Sequence, residues 1–153
     1  MFTSTKKVQA IFSRSPNVLS WGVRWVTKSP EWSHVGILRG DRVLESTWSG
    51  GGVSEIGYDK FLARSSACAI VEINSPAEVW DAAITQLYKP YDRTALLGIY
   101  ANRDWQEDDA WYCSEYFTWA HKQAGIEWFR PDVKAIFPVH NWMTCRGKTY
   151  RVK

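Results

Sequence analysis

The chain has 153 residues, 45% hydrophobic and 23% charged. That is enough for one domain with its own core, too little for two, and unlike a disordered chain. The net charge of +3 is uneven, because residues 1–30 hold Lys6, Lys7, Arg14, Arg24 and Lys28, and residues 141–153 hold Arg146, Lys148, Arg151 and Lys153, without an acid in either stretch. No tight Lys/Arg cluster or nucleic-acid motif accompanies these basic ends, which predicts solvated termini and no nucleic-acid partner.

In chain order, "KVQAIFS" (7–13) alternates apolar and polar residues and predicts a strand. "SPNVLSWGVRWVTK" (15–28) has Val18, Leu19, Trp21, Gly22, Trp25 and Val26 at helical spacing, with Ser15 as cap and Pro16 in the first turn. "SHVGIL" (33–38) and "RVLEST" (42–47) are β-rich runs around "RGDR", the pattern of a hairpin, and "WSGGG" after them reads as a loop. "ACAIVEI" (67–73) reads as a fully buried strand. "SPAEVWDAAITQLYK" (75–89) opens with Ser75 as cap and Glu78 placed to complete a capping box. "KPYDRTALLGIY" (89–100) reads as a turn and an apolar segment. "DDAWYCSEYFTWAHKQAG" (108–125) is a third helix, capped by Asp108 or Asp109 and ended by Gly125. The proline-broken tail ends in a strand. Strands and helices mix without regular βαβ alternation, which predicts a single α+β domain over residues 1–153.

Cys68, Cys113 and Cys145 contain no C-x-x-C spacing, which argues against a disulfide scaffold or a cysteine zinc site. No comparable histidine or carboxylate spacing predicts a metal, and no cofactor motif is present. "SGGG" lacks the ending of a phosphate-binding loop. Ten tryptophans are explained by core filling or by an aromatic groove for an apolar or sugar-like substrate. The N-terminus lacks the apolar core of a signal peptide and no stretch is long enough to span a membrane, so a protein kept in a reducing cytoplasm is expected. Oligomeric state is left open.

Cys113 falls in the first turn of its helix, where free N–H groups and the dipole favour thiolate, although buried structural cysteines are also common. A nucleophilic cysteine needs a base. His121, eight residues along the same helix, lies about 12 Å away along its axis and is excluded. His140 sits in the tail, where spacing predicts no geometry. If residues 39–42 form the hairpin turn so that Leu38 faces Val43, His34 stands opposite Thr47 with Glu45 diagonal on the same face, within reach of a hydrogen bond. A carboxylate on one imidazole nitrogen leaves the other free to take a thiol proton. The alternative is a surface strand pair, and a one-residue slip would separate the two side chains.

"SHVGIL", a polar residue about a dozen positions on, and a distant "YCSEYF" at a helix start together resemble the permuted papain-like, NlpC-type superfamily. The pattern is nearest its YiiX/YaeF-like branch and is also similar to lecithin:retinol acyltransferase-like proteins. The histidine strand comes first and the cysteine helix last, as in permuted members, and the resemblance extends over roughly residues 7–120. It implies an antiparallel sheet packed with helices, Cys113 as nucleophile at a helix N-terminus, His34 as general base and Glu45 as its orienting residue. Tyr91 of "KPYD" becomes a candidate oxyanion donor or substrate wall, and Ser114 and Glu115 become structural. The implied function is a cysteine hydrolase cleaving an amide in a peptide or peptidoglycan fragment through a thioester. A lipid or ester acyl hydrolase or acyltransferase, or a binding module without chemistry, are the alternatives. A cell-wall substrate would fit a bacterial or phage-encoded protein.

Overall fold

In a computed structural model, the structure describes residues 7–28, 31–93, 109–130, 133 and 135–153. The elements are β1 (Val8–Arg14), α1 (Val18–Val26), β2 (His34–Arg39), β3 (Arg42–Thr47), β4 (Gly52–Gly57), α2 (Tyr58–Arg64), β5 (Ala67–Ser75), α3 (Ala77–Ile84), α4 (Cys113–Gln123), α5 (Pro138–Thr144) and β6 (Lys148–Arg151). Among the described residues the strands form one sheet in the order β4-β3-β2-β1-β5-β6, every pairing antiparallel. The molecule is α+β, as expected.

Strand alternation sorts the core onto two faces. Phe12, Val35, Ile37, Leu44 and Val71 pack with Val79 and Ala83 of α3 and Tyr116, Phe117 and Ala120 of α4. On the other face Ile11, Leu38, Val43 and Cys68 pack with Phe61 of α2. The β2–β3 hairpin has Leu38 opposite Val43 and Ile37 opposite Leu44, the register read from "RGDR". It turns through Gly40 at a φ of 65°.

The helix starts differ from expectation. Asn17, not Ser15, caps α1, its Oδ1 accepting from the Ser20 N–H at 2.7 Å. The Ser15 N–H donates instead to Ser20 Oγ, and an asparagine caps as well as a serine. Ser75 ends β5 opposite Val8, so Pro76 caps α3. The expected capping box is absent because Pro76 has no N–H for Glu78 to accept. Tyr112, not an aspartate, caps α4. Residues 110–112 are held extended against residues 90–92 and turn helical only at Cys113. Asp108 lies outside the described residues, as does most of 89–100, and Asp109 accepts from Lys89 Nζ.

Three elements carried no sequence expectation: β4 and α2, which follow "WSGGG" in turn with Gly52 already in the strand, and α5 in the proline-broken tail. β5 is not fully buried, since Glu72 and Asn74 face solvent where the exposed strand β6 covers only the edge. Cys145 is buried. The predicted terminal strand is β6, and Gly125, at a φ of 80° just past α4, ends that helix as expected.

Candidate active site

Three separate local structures bring the predicted residues together. His34 opens β2, Glu45 lies inside β3, and the hairpin register puts both on the face covered by α2. There His34 Nε2 donates to Glu45 Oε2 at 2.7 Å. This is the diagonal pair that the hairpin spacing predicts.

Glu45 is fully buried. A carboxylate there would be costly without partners, and it has two cationic ones. Besides His34, the Arg64 guanidinium at the end of α2 donates to the same Oε2. Burial pushes the Glu45 pKa up, but hydrogen bonding and charge attraction from His34 and Arg64 outweigh it and hold the carboxyl below its ordinary value. Arg64 had no sequence signal, because no residue in α2 was assigned to the site. The imidazole also stacks on Phe61 of α2, ring centroids 5.9 Å apart, so α2 fixes both members of the pair.

Cys113 is the first residue of α4, and its capping residue contributes no side-chain bond. The first-turn N–H groups, which have no intrahelical partners, therefore lie at the helix end that carries this cysteine. The helix start is fastened from two sides. Ser46 Oγ of β3 donates to the Trp111 carbonyl at 2.6 Å, and Ser114 Oγ donates to the Ile136 carbonyl. Ser114 is thus structural, as expected.

The remaining ring nitrogen of His34, Nδ1, is left for the thiol. Burial works to lower the His34 pKa, but hydrogen bonds to Cys113 and Glu45, and the attraction of both groups, raise it to about 9. His34, Cys113 and Tyr91 all line one cavity of about 580 Å³, whose wall also includes Ser20, Trp48 and Tyr112.

Tyr91 reaches this wall because residues 88–91 are stitched to the start of β4. The Val53 N–H donates to the Lys89 carbonyl and the Tyr91 N–H to the Gly51 carbonyl. Gly52 permits this approach: at a φ of 141°, a Cβ would stand 2.0 Å from the Lys89 oxygen. Within the glycine run that reads as a loop, Gly52 is a packing requirement. Tyr91 and Tyr112 lie edge to face, 6.0 Å apart. Burial, and nearby negative charge at Cys113, push both phenol pKa values up.

The other candidates lie elsewhere. His121 is buried between the Phe117 carbonyl and Ser75 Oγ, and desolvation lowers its pKa to about 4. His140 Nδ1 accepts from the Phe137 N–H at the start of α5. Burial pushes the Cys68 and Cys145 thiols up to about 12. Among the described residues no helix is long and apolar enough to cross a membrane.

This arrangement provides a thiol, an imidazole and a carboxylate in sequence at a cavity wall, the components of nucleophilic acyl chemistry. No family model matches the chain, and no curated protein matches it significantly. A solved structure does: the metalloprotein YiiX from Escherichia coli O157:H7 (DUF1105), 23% identical, with a TM-score of 0.59 over 80% of this chain and 68% of that one. The chain is therefore similar to YiiX in fold.

Proposed function

We propose that the protein is a cysteine hydrolase of the permuted papain-like, NlpC-type fold, with Cys113 as nucleophile, His34 as general base and acid, and Glu45 as the orienting carboxylate. The observation that carries this reading is the His34–Glu45 hydrogen bond, with His34 and Cys113 lining the wall of one cavity. The chain order, histidine strand before cysteine helix, supports the permuted arrangement, and the likeness to YiiX agrees with it.

In the reaction His34 takes the Cys113 thiol proton as the sulfur attacks a carbonyl carbon, and the carbonyl oxygen becomes an oxyanion. The Cys113 backbone N–H, at the positive end of α4, is one donor for that charge. Tyr91 is the second donor or the wall that positions it, and its raised pKa keeps the phenol protonated. Collapse of the adduct breaks the carbonyl bond to the leaving amine, which takes its proton from His34, and a thioester remains on Cys113. Water then attacks the thioester while His34 accepts its proton. The acid leaves and the thiol is restored. Glu45 holds Nε2–H throughout, so that Nδ1 faces the sulfur.

An amide, in a peptide or peptidoglycan fragment, is the first choice of substrate. Besides its aromatic side chains, the cavity wall carries the small polar groups of Asn17, Ser20, Ser33 and Ser46, which suit a polar backbone. A lipid or other ester is the second, favoured by the exposed tryptophans on elements that border the cavity. YiiX is described as a metalloprotein. Here, among the described residues, no group of three or more His, Cys, Asp and Glu side chains is placed to hold a metal ion. Both cationic partners of Glu45 already occupy its Oε2, and no step is routed through a metal.

Iodoacetamide at neutral pH tests the reading. Cys113 is expected to be alkylated ahead of Cys68 and Cys145, and His34→Ala to abolish that preference. A p-nitrophenyl ester is expected to leave an acyl mass on Cys113. If Cys113 proves as inert as Cys68, the protein is a binding module.

A further inference from the structure

Two side chains on α1 contribute little to the core. Trp21 and Trp25 are 60% and 68% exposed, one turn apart, with rings 6.5 Å apart and nearly parallel. The same helix borders the catalytic cavity through Ser20 and Val23. On the wall of the same cavity, the turn after β3 presents Trp48, 42% exposed, with the Arg93 guanidinium 4.6 Å from its ring. Exposed indoles thus stand on two separate elements that share one opening. Removing such rings from water would be favourable, and Trp21 and Trp25 in particular stay more than half exposed.

The charges around them select what does. Residues 7–28 contain Lys7, Arg14, Arg24 and Lys28 and no acid. Arg24 lies in the last turn of α1 and Lys28 just beyond it. An amphipathic helix with indoles on one side and cations beside them is the composition that rests in the headgroup layer of an anionic bilayer, where indole keeps its ring in apolar surroundings and its N–H near water. A sugar polymer would instead be met by rings flanked with carboxylates, and α1 carries none in its first turn.

We propose that α1, through Trp21 and Trp25, together with Trp48, docks the protein on an anionic lipid bilayer and sets the mouth of the Cys113 cavity against the headgroups. The cavity then receives its acyl donor from the membrane surface. Docking itself does not depend on the proposed thiol chemistry, whereas the delivery of the donor rests on it.

The test is co-sedimentation of the full chain with vesicles of phosphatidylcholine alone or with about one quarter phosphatidylglycerol, following tryptophan emission. Binding is expected only to the anionic vesicles, with a blue shift, and to weaken as NaCl rises through the screening range. Trp21→Ala/Trp25→Ala is expected to weaken partitioning at least about tenfold, the scale of losing two interfacial rings. Lys28→Glu, which leaves every ring in place, is expected to weaken it as well. Iodoacetamide labelling of Cys113 should stay unchanged in both variants, so loss of docking and loss of chemistry are read separately. Equal binding to both vesicles, no binding to either, retention by insoluble peptidoglycan instead, or full binding by the double variant would overturn the proposal.

Discussion

His34 Nε2 donates to Glu45 Oε2 at 2.7 Å across the β2–β3 hairpin, and Glu45 is fully buried while His34 reaches the cavity. A buried anion behind an imidazole sets two things together: which ring nitrogen faces the sulfur, and how firmly the ring holds its proton. Glu45→Gln keeps the shape and removes the charge. The His34 pKa, about 9 with Glu45 in place, is expected to fall, and the upper pH limit of preferential Cys113 alkylation to fall with it. A pH series of alkylation, paired with NMR titration of the His34 ring, checks both. An unchanged limit would mean that Glu45 does not govern the imidazole.

The same pair makes stability depend on pH. Burial opposes the charged imidazole, but its partners win and raise its pKa from 6.5 to about 9. The folded state therefore binds this proton more tightly than the unfolded chain. The contribution is complete below about 6.5 and is lost as pH rises through about 9. Glu45 acts in the opposite sense: its lowered pKa contributes above the ordinary carboxylate range and is lost as pH falls through the folded value. Urea midpoints of wild type and His34→Gln should differ most near pH 6 and converge near pH 10.

Gly52 and Gly51 form a matched pair of substitutions. Alanine at 52 would place its Cβ 2.0 Å from the Lys89 oxygen in a left-handed conformation, whereas alanine at 51, with a φ of 77°, meets no atom within 4 Å. Gly52→Ala is expected to cost about 3 kcal/mol or more and Gly51→Ala about 1 kcal/mol, measured by denaturant unfolding. Because residues 88–91 hang on this contact, Gly52→Ala should also change the environment of Tyr91.

His121 is predicted to serve the core alone. Its ring fills a buried site between Ser75 and the Phe117 carbonyl, so His121→Ala should destabilise by about 2–4 kcal/mol without altering the order of cysteine alkylation. Its pKa, lowered by desolvation to about 4, means that the stability of the neutral form is complete above about 6.5. That stability is lost as pH falls through about 4. Wild type should therefore lose stability over this acid range more steeply than the variant.

Periodicity and turn chemistry are local, so they were legible. "RGDR" set the hairpin register, the register put Glu45 diagonal to His34, and helical spacing ruled out His121 as partner of Cys113. Each of these follows from a rise per residue or a strand alternation that any neighbour inherits. The caps were less legible, because where a helix begins depends on what pairs with the residues before it. Segment 110–112 is extended through its contact with 90–92, and Ser75 is drawn into β5 by Val8. Arg64 and Gly52 carried no readable signal, since one matters only where α2 crosses Glu45 and the other only where residues 88–91 cross β4.

By itself, then, the sequence determined the α+β class, the hairpin that joins His34 to Glu45, and the placement of Cys113 in the first turn of a helix. Only the tertiary structure decided that these two units meet at one cavity, that Arg64 is a second partner for the buried carboxylate, and that Trp21 and Trp25 remain uncovered. The physical reason is range. Backbone periodicity acts over a few residues, whereas desolvation and charge pairing act between whichever surfaces the packing of the sheet and helices presses together.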